Sequence, residues 1–231
     1  MSRVQGVLAA LEAGADARGV AAWARVGDPS LRSFGWGLTR LRALAKELGR
    51  DAALAEALWA TDLFDARVLA CLVLDPAALD LAGATRWARG AGAWQVSHAL
   101  CSGPLAKAPH AADLVDAWTP SPDDALRRCG WLLLGAIAPK VRTREEAWLL
   151  AFVAHAREAL QGEENLVRDA MNSFLLSVGQ RSLPCWEAAY AAAVAVGTVE
   201  VDYGDNACVA PDVVRHLGGP RIRAKVGAPP A

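Results

Sequence analysis

Trp94 and His98 stand four residues apart in the run Trp94-Gln95-Val96-Ser97-His98. On a helix that spacing places an indole and an imidazole on one face. Imidazole has a reference pKa of about 6.5, and its neutral form offers one ring nitrogen as acceptor or general base. An indole adds a broad apolar wall and a single N–H. The pair therefore suits a joint site, and it suits ordinary helix packing as well. A second feature is arginine at the start of apolar runs. It occurs in Arg67-Val68-Leu69-Ala70, in Arg127-Arg128-Cys129-Gly130 and in Arg168-Asp169-Ala170-Met171, and the step from Arg127 to Arg168 is 41 residues. A period of that size marks helical repeats. If the runs are equivalent inner helices, their arginines form a discontinuous positive strip. Alternatively, each snorkels across apolar neighbours and pairs with a nearby carboxylate.

Other chemistries find little support. There is no P-loop, dinucleotide fingerprint, HExxH or GxSxG. The five cysteines form neither a CxxC pair nor a Cys/His cluster at zinc spacing, so buried thiols in a reducing compartment are expected, with no metal. Asp202 and Asp205 could face a cation, but a solvated turn is the plainer reading, and Cys208 is the thiol to test for reactivity. The net charge of -1 announces no strongly basic binder, which leaves the distribution of charge to decide. No leader pattern opens the chain, and no apolar run approaches the ~20 residues of a membrane span. A cytoplasmic monomer that spans no membrane is expected.

The elements that must position these residues are helical. Hydrophobic residues make up 54% of the chain, and Ala and Leu, both strong helix formers, dominate them. Leu38, Leu41, Leu44, Ala45 and Leu48 recur at three- and four-residue steps, with Arg40, Arg42, Lys46 and Arg50 on what reads as the outer face. Gly49 is the expected C-cap there, and Asp51 caps a helix through residue 60. Further helices are expected over 62–74, 84–89, 93–103, 110–118, 123–138, 143–160, 163–178 and 183–196, with Ser121 and Thr143 as caps. Residues 199–203 alternate with period two and read as an extended segment. The chain is thus expected to be all-α, a HEAT-like helical repeat solenoid, an α-α superhelix. Residues 1–200 would form the repeat domain, with 201–231 an extended and partly disordered C-terminal segment.

An ordered series of motifs resembles a known family. Trp36-Gly37-Leu38 with Leu41-Arg42, Leu58-Trp59 with Phe64-Asp65-Ala66-Arg67, Trp94-Gln95-Val96-Ser97-His98, and Leu126-Arg127-Arg128-Cys129-Gly130-Trp131 follow in turn. The series is similar to that of the AlkD-like DNA alkylation repair proteins, the HEAT-like alkylpurine DNA glycosylases, across roughly residues 30–195. The resemblance implies a cradle for duplex DNA and hydrolysis of the N-glycosidic bond of N3- or N7-alkylated purines, with no metal or cofactor. It implies two Trp and an Asp at the lesion's deoxyribose and an Arg on the backbone.

Carried onto this sequence, Trp94 takes the first Trp position and Arg128 the Arg position, with Arg127 a one-residue alternative. The second Trp position holds Ser173, and the acid position holds His98. Arg67 and Arg168 would line the same DNA-facing side. Loss of the acid matters because bond cleavage develops positive charge on the sugar. A missing electrostatic partner costs about 2.7–4 kcal/mol, roughly 10²–10³ in rate. A neutral His98 could still activate water, and lesions that are already cationic weaken their own bond. The sequence therefore points to a DNA-binding protein of alkylation repair that excises alkylpurines or has lost excision. The alternative is a non-enzymatic HEAT-like scaffold that binds DNA or a protein partner.

Overall fold

The computed structural model describes residues 2–26, 28, 30–92, 94–205 and 207–229, with only the backbone of Val26 and Trp94. It divides into two compact units, Met1–Pro109 with Tyr203–Ala207, and His110–Asp202 with Cys208–Ala231. The fold is all-helical and of the HEAT-like kind. The only β pairing among the described residues is an isolated bridge between Arg32 and Leu63.

The first unit holds α1 (Arg3–Ala13), α2 (Ala17–Val26), α3 (Leu38–Leu48), α4 (Ala52–Trp59), α5 (Phe64–Val73), α6 (Leu81–Gly90) and α7 (Trp94–Ser102). Helices α3, α5 and α7 pack side by side as one layer, and α4 covers α5 from behind with α1 beside it. Helix α6 is fastened to α4 by the stacked rings of Trp59 and Trp87, 4.2 Å apart. The core between the layers includes Leu58, Leu69, Trp87 and Leu100, all fully buried. Caps follow the side-chain chemistry. Asp51 accepts Leu54 N–H at 2.9 Å, and Gly49 ends α3 at a φ of +71°.

The second unit holds α8 (Ala111–Trp118), α9 (Asp124–Ile137), α10 (Glu146–Ala159), α11 (Asn165–Val178), α12 (Leu183–Val196), α13 (Val213–Leu217) and α14 (Pro220–Val226). Helices α9, α11 and α13 form one layer, with α8, α10 and α12 behind it. Main chain approaches closely at Gly130, where an added Cβ would lie 2.7 Å from Thr119 N and 3.0 Å from Trp118 C. Only glycine lets α9 come this close to the end of α8.

The high tryptophan content has a structural explanation. Trp23, Trp36 and Trp186 donate their indole N–H to the carbonyls of Leu31, Leu11 and Leu217 at 3.1, 2.9 and 2.9 Å. Trp87 and Trp148 donate to the carboxylates of Glu56 and Asp116 at 2.9 and 2.7 Å. Each of these indoles uses its one donor to pin its ring to another segment, and for Trp36, Trp87, Trp148 and Trp186 that segment is 25 or more residues away.

Three local expectations change. Asp123, not Ser121, caps α9, accepting from Ala125 and Leu126 N–H at 3.0 and 3.3 Å, while Ser121 Oγ accepts from Asp123 N–H. Helix α10 begins at Glu146 with Glu145 at the cap position, three residues later than Thr143 implied. The tail carries two helices where an extended segment was expected. Asp212 caps α13 through Arg215 N–H at 2.9 Å, and Gly218-Gly219 turns the chain into Pro220 at the first position of α14. Glycine and proline here mark a tight helix-to-helix turn. Residues 197–203 have no regular structure.

Candidate nucleic-acid interface

The exposed side of the α3–α5–α7 layer holds a cavity of about 580 Å³. Leu38, Leu41 and Arg42 of α3, Phe64, Val68 and Leu72 of α5, and Gln95, His98 and Ala99 of α7 line it, with Trp36, Ser102, Gly103 and Lys107. Its floor is apolar and aromatic. Phe64 is backed by the ring of Trp23, stacked at 3.9 Å. Its polar groups are two cations, an imidazole, an amide and a hydroxyl, and among the described residues no carboxylate lines it.

His98 is half-buried on this wall, and its carbonyl accepts the Ser102 hydroxyl at 2.6 Å. Gln95 Oε1 is buried with no donor among the described residues, an unmet acceptor beside the cavity. Arg42 and Lys107 are exposed. Reading Arg42 with Arg40 and Arg50 as one outer face does not hold. Arg40 lies over the Trp36 ring at 4.0 Å and donates to Gly14 O at 3.0 Å, and Arg50 donates to Leu74 O. Arg42 turns to the cavity.

A buried carboxylate holds the cavity's edge in place. Asp65, fully buried on α5, accepts the N–H groups of Phe34 and Trp36, each at 2.7 Å, and the Ser33 hydroxyl at 2.9 Å. The loop before α3 is thereby fixed, and Trp36 with it. Sequence reasoning missed Asp65, Gln95 and Lys107. An Asp inside an apolar helical run was the available signal for the first. The other two look like ordinary surface residues until the chain is folded.

The arginines expected to form a strip share a bracing geometry. Arg67 donates to Thr61 O at 2.9 Å and to Gly90 O at 3.2 Å. Arg127 donates to Ser121 O at 2.8 Å, to Glu163 Oε2 at 3.0 Å and to Asp124 Oδ1 at 2.5 Å. Arg168 donates to Glu163 O at 3.0 Å and to Glu200 O at 2.9 Å. Each reaches back five or six residues to a carbonyl in the loop before its own helix. A carbonyl partner leaves the guanidinium charge unbalanced, whereas the two carboxylates on Arg127 neutralise it. Arg128 is 5% exposed, and Ser173 is half-buried on α11. His98, Trp94 and Arg67 belong to the first unit, and Arg127, Arg128, Arg168 and Ser173 to the second. Trp94 opens α7, and its side chain lies outside the described residues.

The acidic segment after α12 acts as a strap. Asn165 exchanges two hydrogen bonds with the Asp202 main chain, at 2.7 and 2.8 Å. Asn206 of this segment is outside the described residues. Among the described residues, no group of three or more His, Cys, Asp or Glu could hold a metal ion, and no helix is long and apolar enough to cross a membrane.

The whole fold matches a solved structure with a TM-score of 0.85 at 23% identity, covering 99% of this chain and 98% of the other. That protein is from a new family related to the HEAT-like repeat DNA glycosylases, with affinity for branched DNA structures. At this identity the likeness establishes the fold. In sequence, the chain is 32% identical over 108 residues to uncharacterized protein Lmo0209 of Listeria monocytogenes, covering 47% of this chain and 46% of the relative. It is 30% identical over 106 residues to uncharacterized protein Lin0241 of Listeria innocua, covering 46% and 45%. The match spans about half the length of each curated relative. The model of the DNA alkylation repair enzyme family matches residues 7–196, most of the chain, and the protein belongs to that family.

Proposed function

We propose that this chain is a DNA-binding protein of alkylation-damage repair that grips the phosphate backbone on the exposed side of α3, α5 and α7, around His98. One observation carries this reading. The cavity is edged by Arg42 and Lys107 and, among the described residues, lined by no carboxylate. Two cations attract phosphates, and they repel the cationic base of an N3- or N7-alkylated purine. On this reading His98 stands at the family's acid position, and among the described residues nothing anionic lines the cavity in its stead. Arg67 and Arg168, braced on carbonyls, add fixed positive charge within their own units. The affinity of the related solved protein for branched DNA makes junctions a natural substrate to compare with linear duplex.

The test is a salt titration of binding to a linear duplex and to a four-way junction. Each phosphate contact contributes about 0.9 to the slope of log K against log salt for duplex DNA. Replacing both Arg42 and Lys107 by Ala should flatten the slope by about 1.8. An unchanged slope and affinity would sink the reading.

A second reading is excision, with His98 as general base for water. It is favoured by the placement of His98 and the donorless Gln95 Oε1 in a cavity of about 580 Å³. Single-turnover release of 7-methylguanine or 3-methyladenine from duplex DNA separates the two. Binding without release by the native protein supports the first reading. Release abolished by His98→Ala establishes excision. Release gained by His98→Asp marks a lapsed glycosylase.

A further inference from the structure

From Val213 to the C-terminus the chain carries Arg215, Arg221, Arg223 and Lys225 and no acidic residue, against a net charge of -1 for the whole. This basic stretch is folded. Helices α13 and α14 form a short hairpin docked on α11 and α12. Leu217 is fully buried, and its carbonyl accepts the Trp186 indole N–H at 2.9 Å. Asn172 Nδ2 donates to Pro211 O at 2.9 Å. The hairpin lies beyond residues 7–196, the part shared with the repair family.

One of the four cations is the anchor. Arg223 lies over the rings of Trp186 and Tyr190 at 5.1 and 5.9 Å. It donates to Gly218 O at 3.0 Å and to Pro229 O at 2.7 Å. With that side of α14 turned inward, Arg221 and Lys225, one helical turn apart, share the opposite side and are exposed, as are Arg215 and His216 on α13. Arg215, Arg221 and Lys225 have no carboxylate partner among the described residues. Three unbalanced cations on a rigid, docked mount meet a polyanion at little entropic cost.

We infer that the α13–α14 hairpin is a second phosphate-binding surface, holding nucleic-acid backbone through Arg215, Arg221 and Lys225. This rests on the DNA-binding reading above and extends it to the second unit. A lipid surface is the competing polyanion. Interfacial helices insert Trp, Phe or Leu beside their cations, and no residue of α13 or α14 is among the exposed large apolar side chains. Backbone phosphates fit better.

The experiment compares the intact protein with a variant carrying Arg215→Ala, Arg221→Ala and Lys225→Ala. All three side chains are exposed, so the variant should keep its unfolding midpoint. Binding of linear duplex and of a four-way junction is titrated from 50 to 200 mM salt. The expected result is a salt slope shallower by about 2–3 and weaker affinity at low salt, with Arg42 and Lys107 intact. A variant that matches the native protein in slope and affinity overturns the hairpin's role while leaving the cavity reading standing. No DNA affinity in the native protein overturns both. Vesicles of mixed neutral and anionic phospholipid form the third arm. Sedimentation with them that is lost in the triple variant, with DNA binding unchanged, assigns the hairpin to lipid and overturns the inference.

Discussion

Asp65 Oδ1 accepts the main-chain N–H of Trp36 at 2.7 Å, so a carboxylate sealed inside α5 fixes an aromatic side chain at the edge of the candidate site. Its other oxygen holds Phe34 N–H and the Ser33 hydroxyl. Asp65→Ala would leave two half-buried N–H groups without an acceptor, each worth about 1–3 kcal/mol when unmet. The expected loss is about 3 kcal/mol of folding stability, with a smaller loss for Asp65→Asn, which keeps an acceptor oxygen. Urea unfolding of the three proteins checks this. Coincident midpoints would show that the loop is held by something else.

Gly130 sets the spacing between α8 and α9. A methyl group there would press on Thr119 N and Trp118 C, main-chain atoms that cannot swing aside. Overpacking of this kind costs about 1–3 kcal/mol. Gly130→Ala should therefore lower the unfolding midpoint, although alanine is the better helix former. Gly162→Ala is the control, since nothing lies within 4 Å of its added Cβ. Equal midpoints for the two variants would refute the close approach.

Helix positions were legible because apolar spacing and capping residues act locally. Asp51, Gly49 and the runs from Leu38 and Arg67 appear where the pattern puts them. The arginines illustrate the limit. Their recurrence at Arg67, Arg127 and Arg168 was visible, but their bracing of the preceding loop was not. That geometry depends on how tightly each loop folds back, which no spacing rule reports. His98 was singled out from its spacing, whereas Lys107 joined its cavity only through the turn after α7. The hairpin was hidden for a different reason. Gly218, Gly219 and Pro220 resemble a flexible tail in composition, and only the burial of Val213 and Leu217 turns them into a helix-to-helix corner.

Acid should loosen α4 from α6. The hydrogen bond from Arg86 to Glu56, 2.7 Å long, holds the Glu56 carboxyl below its ordinary range, burial opposes this, and the Trp87 indole N–H adds to it. A carboxyl depressed in the folded state adds stability that is present above its unfolded pKa and lost as pH falls through the folded one. Thermal midpoints should therefore drop below about pH 4.5, the ordinary value for Glu. Glu56→Gln should start lower at neutral pH and fall less steeply. The effect is small, because the pair is partly solvent-exposed. Parallel pH profiles for the two proteins would rule it out.

Arg127 and Arg168 look alike in sequence and should behave differently. Arg127, 17% exposed, is matched by Glu163, 16% exposed, and by Asp124. Removing it strands a nearly buried carboxylate, and Arg127→Ala should cost about 2–4 kcal/mol of stability. Its charge is already balanced, so no counterion is released through it, and the salt slope for DNA should not move. Arg168 donates to two carbonyls and keeps its charge. Arg168→Ala should lower stability and flatten the slope by about 0.9. Unfolding midpoints and salt titrations run together on both variants decide the matter. A flatter slope for Arg127→Ala at an unchanged midpoint would overturn the assignment, because the guanidinium would then meet phosphate and contribute nothing to bracing its loop.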